Sequence, residues 1–330
     1  MPNTLATLLH RSLDFAGLFP PAALAVPEAL SLFRREQGAT RAEMLARFVC
    51  PLLRLEELVT AGADADSPLH LSVLPRGGRN AGEFLANLET DLAAIRRLAL
   101  LHDGGVVIDT IELRPPADAM DVGALRKLIA AIDALLVRHA ANIRQVFLEL
   151  APTVSLAGQL ALLAEETPRS GGAESPSFGY KLRTGGSDTA TAPSAAQIAS
   201  TLASVASLGL PMKCTGGLHH PLRANSAGPA ASTHGFINLL VAAALAAGAP
   251  TPGTEILEAV LDEASPAAFT FDQRSLAWRD HQVDTVTVAA SRQRLLVSFG
   301  SCYAEQPRTE LQRLGWWPKT PRAQSARLPN

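Results

Sequence analysis

At 330 residues the chain exceeds the size at which one hydrophobic core usually stops growing, so one large α/β barrel or two ordinary domains are the arithmetic choices. Hydrophobic residues make up 47% and charged residues 18%, with a mean hydropathy of +0.14, which excludes a disordered chain and a small stapled scaffold. Twenty-nine basic residues against 31 acidic ones give a formal charge of −2, so no basic footprint argues for nucleic acid or an anionic membrane, and a small molecule is the expected partner.

In chain order, short β-rich runs alternate with longer amphipathic ones. The first strand is predicted around Asp14 to Phe19, closed by Pro20-Pro21, with a helix from about Pro27 to Gln37. Strand Ala46–Cys50 stops at Pro51 before a helix over Leu55–Ala61, and strand Leu69–Leu74 stops at Pro75 before a helix over Ala81–Leu101. Gly104-Gly105 opens strand Val106–Leu113, which Pro115-Pro116 ends before a helix over Val122–Ala140. Strand Ile143–Leu150 leads to a helix over Ser155–Glu166, strand Ser177–Leu182 to one over Ser194–Leu208, and strand Leu210–Thr215 to the apolar helix Ser232–Ala247. Strand Leu295–Phe299 and a short helix, Arg308–Leu314, complete eight units.

Parallel neighbours require such crossovers, and eight units predict a closed (β/α)8 TIM barrel, expected as one domain over residues 1–315. An open doubly wound sheet is the runner-up, but its GxGxxG fingerprint is absent. Two stretches break the repeat. Pro168 to Pro176 reads as a Gly/Ser/Pro loop, and Gly253 to Arg292 as an insertion holding a helix (Thr254–Glu263) and a hairpin pairing Phe269–Phe271 with Leu276–Trp278. From Trp316 to Asn330 the composition predicts a loose tail. The apolar stretch Gly235–Ala247 is about one-third short of the ~20 residues that cross a bilayer, so a buried helix is expected. Three cysteines without CxxC spacing and no signal-like N-terminus suit a cytoplasmic protein with reduced thiols.

Lysine usage is more informative than the totals. Only Lys127, Lys181, Lys213 and Lys319 stand among the basic residues; the rest are arginine. An amine can lose its proton and become a nucleophile, which a guanidinium cannot. Lys181 and Lys213 lie 32 residues apart near the ends of the sixth and seventh strands, where barrel enzymes build their sites. Adjacent strands are ~4.8 Å apart. Two ammonium ions ~5 Å apart repel by ~3 kcal/mol at an effective dielectric of 20, so crowding is expected to neutralise one of them. The bland reading pairs the two lysines with Glu149 or Glu112 as structural salt bridges. Glycines after each strand (Thr184-Gly185-Gly186, Thr215-Gly216-Gly217 and Gly300-Ser301) are expected to cradle an anion.

Tyr180-Lys181-Leu-Arg-Thr184-Gly185, Met212-Lys213-Cys-Thr-Gly216-Gly217 and Ser298-Phe-Gly-Ser-Cys302 resemble the sixth, seventh and eighth strand motifs of deoxyribose-phosphate aldolase and related class I aldolases. Gln145–Leu150 and Val107-Ile-Asp109 are similar to the family's fifth and fourth strands. The resemblance covers roughly Val106 to Cys302. It implies Lys181 as Schiff-base nucleophile, Lys213 as the neighbour that lowers its pKa, and Asp109 in a proton relay, with no cofactor. Arg183 departs from the family's small residue, His219-His220 have no counterpart there, and the first hundred residues share no such motif.

Strand alternation leaves the relay open: if Glu112 faces inward, it takes the role and Asp109 is structural. Arg183 and Arg114 are candidates to clamp an anionic substrate. His219 and His220 are candidate substrate contacts or acid-base groups, or ligands of a metal with Glu112 or Glu149. The preferred expectation is a lysine-dependent aldolase or lyase acting on a small phosphorylated or carboxylated carbonyl compound, with assembly into a homo-oligomer left open. The alternatives are a metal-assisted hydrolase or lyase using His219 and His220, and a non-catalytic anion-binding barrel.

Overall fold

The computed structural model describes residues 1–38, 44–139, 142–167, 176–185, 192–224 and 234–318. After a first helix, α1 (Asn3–Leu9), come β1 (Leu13–Phe15), α2 (Val26–Gly38), β2 (Leu45–Pro51), α3 (Leu55–Gly62), β3 (Leu69–Leu74) and α4 (Ala81–Leu101). Then follow β4 (Val106–Leu113), α5 (Val122–Arg138), β5 (Gln145–Glu149), α6 (Leu156–Glu166), β6 (Ser177–Arg183), α7 (Ala195–Leu208), β7 (Met212–Thr215) and α8 (Phe236–Ala246). The insertion supplies α9 (Thr254–Asp262), β8 (Phe269–Phe271), β9 (Ser275–Trp278), β10 (His281–Asp284) and α10 (Thr285–Arg294), before β11 (Leu296–Ser301) and α11 (Glu305–Arg313).

Eight parallel strands close in the order β1-β11-β7-β6-β5-β4-β3-β2, the (β/α)8 barrel the alternation predicts. Local chemistry sets the helix ends. The Asn80 side chain accepts from Glu83 N at the start of α4, Ser194 and Gln197 form a capping box on α7, and Gly209 ends α7 at φ 64°. Phe15, Phe33 and Phe48 pack together where β1 and β2 meet α2, with ring centroids 5.3–6.0 Å apart. With Phe15 and Phe48 turned outward, alternation turns their neighbours Asp14 and Arg47 toward the barrel interior. Every residue of α8 is buried; all but Asn238 are apolar, and Asn238 Nδ2 donates to Val260 O at 2.7 Å and to Glu263 O at 2.8 Å. No described helix is long and apolar enough to cross a membrane.

The structure departs from the sequence reading at the edges. The insertion's hairpin is three-stranded, because β10 also pairs with β9; its alternation of half-buried and exposed residues carries no apolar signal. Helices α1 and α10 were not expected, and they pack on each other. Trp316 and Trp317 do not begin a loose tail: Trp317 is buried and Trp316 packs edge-on against Phe269 and Phe271. The loop expected over Pro168–Pro176 falls almost wholly outside the described residues, as do the start of the predicted Ser232–Ala247 helix and 319–330.

Candidate active site

Register brings the two lysines side by side: Lys181 pairs with Lys213 across β6 and β7, Glu149 with Lys181 across β5 and β6, and Lys213 with Ser298 across β7 and β11. All of these side chains converge in the barrel interior. Lys181 Nζ lies 2.8 Å from Glu112 Oε2 and 2.8 Å from Glu149 Oε2. Lys213 Nζ lies 2.5 Å from Glu112 Oε1 and 2.6 Å from Asp14 Oδ2. Ser72 Oγ donates to Glu112 Oε1 at 2.7 Å, and Ser298 Oγ donates to Asp14 Oδ2 at 2.7 Å. The result is a continuous buried chain, Glu149–Lys181–Glu112–Lys213–Asp14, with Asp14 Oδ1 buried and unpartnered.

This arrangement corrects the expected electrostatics. The lysines are neighbours, but Glu112 bridges them, so attraction replaces the repulsion that was to neutralise one amine. Burial opposes the charge on Lys181, yet Glu112 and Glu149 outweigh it and hold its pKa above the ordinary lysine value. Burial likewise opposes the charge on Glu112, and the two ammonium groups outweigh it and hold the carboxyl well below the usual range. Three carboxylates (Asp14, Glu112 and Glu149) against two amines leave a formal charge of −1.

Of Asp109 and Glu112, Glu112 is the one that meets the lysines. The register between β3 and β4 slips at this point, Leu71 facing Ile108 while Ser72 faces Thr110. Asp109 is left to pair with Arg47 at 3.0 Å and to accept from Thr110 Oγ1 at 2.8 Å, toward the N-terminal ends of β2 and β4. It does not touch either lysine, so its relay role is not supported by its position.

The glycines set how closely the loops at the mouth approach one another. A Cβ on Gly216, whose φ is +91°, would stand 2.2 Å from Gly185 O. Gly216 and Gly185 therefore allow the loops after β6 and β7 to touch backbone to backbone. Thr184 fastens the same seam, its Oγ1 donating to Gly216 O at 2.7 Å and its N–H to Thr215 O at 2.8 Å. Gly217 also has positive φ, and Gly300 packs against Thr215. Gly186 lies outside the described residues. Arg183 and Arg114 are exposed, each at the C-terminal end of its strand.

At the same end, His219 Nδ1 is 3.0 Å from Ser301 Oγ, its Nε2 is 3.6 Å from Cys302 Sγ, and its ring meets Tyr303 edge-on. Burial, and then the adjacent His220, pull the His219 pKa down to about 4, so it is neutral at pH 7. Burial pushes the Cys302 thiol up. His220 turns away to Glu310, at 2.9 Å. The two histidines thus face different partners, and among the described residues no three His, Cys, Asp or Glu gather in a metal-binding group. Sequence reasoning missed Asp14, Ser72 and Ser298 as site residues. In the sequence Asp14 stood only as the start of the first predicted strand, and Ser298 only inside its strand motif.

No protein-family model matches the chain, and no curated protein sequence matches it. Among solved structures, a malate synthase from Haloferax volcanii, in a ternary complex with pyruvate and acetyl-CoA, is similar with a TM-score of 0.37 and 11% identity. The match covers 62% of this chain and 57% of that one.

Proposed function

We propose that the protein is a Schiff-base aldolase or lyase acting on a small carbonyl compound that carries a phosphate or carboxylate, with Lys181 as nucleophile. The observation that carries this reading is an amine at the C-terminal end of a barrel strand, flanked by two carboxylates that can hold its proton. The likeness of the β6, β7 and β11 motifs to class I aldolases supports it.

In the resting state the Lys181 amine is charged. Glu149 Oε2, 2.8 Å from Lys181 Nζ, is placed to take its proton. The freed amine adds to the carbonyl carbon, and its surplus proton moves to the carbonyl oxygen. Protonated Glu149 then gives its proton to the departing hydroxyl, which leaves as water, and an iminium remains with Glu149 again ionised. The iminium takes up the electron pair of the breaking C–C bond, and neutral His219 supplies a nitrogen for the proton of the departing fragment's hydroxyl. Lys213 keeps Glu112 ionised beside the iminium, and Arg183 and Arg114 meet the substrate's anionic group.

Borohydride reduction in the presence of small phosphorylated aldehydes and 2-oxo acids, followed by peptide mapping, tests the reading. A carbonyl-derived mass on the peptide containing Lys181, lost in Lys181→Met, is the expected result. Labelling confined to Lys127 or Lys319, or none at all, overturns it.

A further inference from the structure

At the opposite end of the barrel, α1, the C-terminal end of α10 and the start of β11 surround a cavity of about 650 Å³, within the range of small-molecule sites. Leu9, Ala289 and Val297 give it an apolar wall, Arg11 and Arg292 supply positive charge, and no acidic side chain lines it among the described residues. Arg292 and Trp317, which also line it, are only 8% and 4% exposed. Arg292 Nε and Trp317 Nε1 are nevertheless buried without an acceptor. The two terminal nitrogens of Arg292 donate to the neutral carbonyls of Leu296, Val297 and Arg11. No carboxylate among the described residues forms a salt bridge with this guanidinium, and burial pushes its pKa down to about 10, with Asp14 opposing.

A buried cation without a counterion is costly. We propose that this cavity binds an amphipathic monocarboxylate, its charge answered by Arg292 and Arg11 in the lining and its hydrocarbon body lying against Leu9, Ala289 and Val297. One buried positive charge matches one negative charge, and the apolar wall favours an alkyl or aryl body over a sugar. The site lies outside the mouth where Lys181 acts, so it stands whether or not the Schiff-base reading does.

Direct binding tests it on the full chain, by calorimetry and by tryptophan fluorescence, with sodium octanoate, 1-octanol and octylammonium as probes. Octanoate is expected to bind saturably at one site, at least tenfold more tightly than octanol, with no octylammonium binding. Affinity is expected to rise about fourfold per methylene from hexanoate to octanoate. Arg292 ties three carbonyls together, so its removal is expected to cost the fold, and a milder variant is more informative. Ala289→Trp fills the cavity and is expected to abolish binding without lowering the melting temperature by more than a few degrees. Equal binding of octanol and octanoate, no saturable binding of octanoate, or an Ala289→Trp protein that binds as before would each overturn the proposal.

Discussion

The two ends of the barrel interior solve the same electrostatic problem with different cations. Toward the N-terminal ends of the strands, Arg47 and Asp109 form a half-buried pair, with side chains 20% and 22% exposed. Toward the mouth, Lys213 and Asp14 are each 1% exposed, and Lys181 and Glu112 nearly as buried. If fixed charge were all that the mouth required, arginine would serve there as it does below and on the outer helices, where Arg126 meets Glu165 and Glu166 and Arg138 meets Glu89. A guanidinium does not give up its proton, and an ammonium does. The contrast teaches that this chain places its interior lysines among carboxylates at the mouth and its interior arginine below them.

Exchanging the cations is the strongest way to break that comparison. Lys181→Arg keeps the charge but not the nucleophile, so turnover of whichever carbonyl substrate forms the adduct is expected to fall by at least ~10³-fold. Arg47→Lys is expected to leave the rate within about threefold. Steady-state kinetics on both variants decide it, and comparable losses would end the distinction between the two ends. Next in size, Glu112→Leu takes one counterion from each of two buried ammonium groups, leaving Lys181 with Glu149 and Lys213 with Asp14. Urea unfolding is expected to show a loss of about 3–5 kcal/mol, the usual consequence of removing one partner from a buried ion pair.

His219 sharpens the comparison through pH. Its folded pKa of about 4 lies below the ordinary 6.5, so between those values the unfolded chain binds the extra proton and stability falls as pH drops. His219→Gln should remove this contribution, about 1–2 kcal/mol after discounting for its position near solvent, visible as a flatter stability curve between pH 6.5 and 4. The smallest effect belongs to the outer shell. Arg126→Ala breaks two exposed pairs and is expected to cost at most about 1 kcal/mol, which thermal melts at moderate salt can check.

The barrel was legible because proline and glycine punctuate nearly every strand. Leu69–Leu74 and Val106–Leu113 match the prediction residue for residue, as does the helix Ala81–Leu101. Lys181, Lys213, Glu112 and Glu149 were legible as candidates because charged residues inside apolar strands are costly. Their mutual arrangement was not. The slip between Leu71 and Ser72 decides whether Asp109 or Glu112 meets the lysines, and no local pattern announces a register shift. Asp14 was hidden for a different reason: its partner Lys213 is 199 positions away, and only closure of the ring brings them together. The glycines after β6 and β7 were visible, but their sequence suggests ligand contact as readily as the backbone contact between Gly185 and Gly216.

Strand β1 spans only three residues and forms the seam between β11 and β2, and Asp14 is its middle residue. A folding chain with this strand undocked holds Lys213 with a single counterion, so closing the cylinder and balancing its inner charge are one event. A partly formed ring therefore leaves the row of interior ion pairs one carboxylate short.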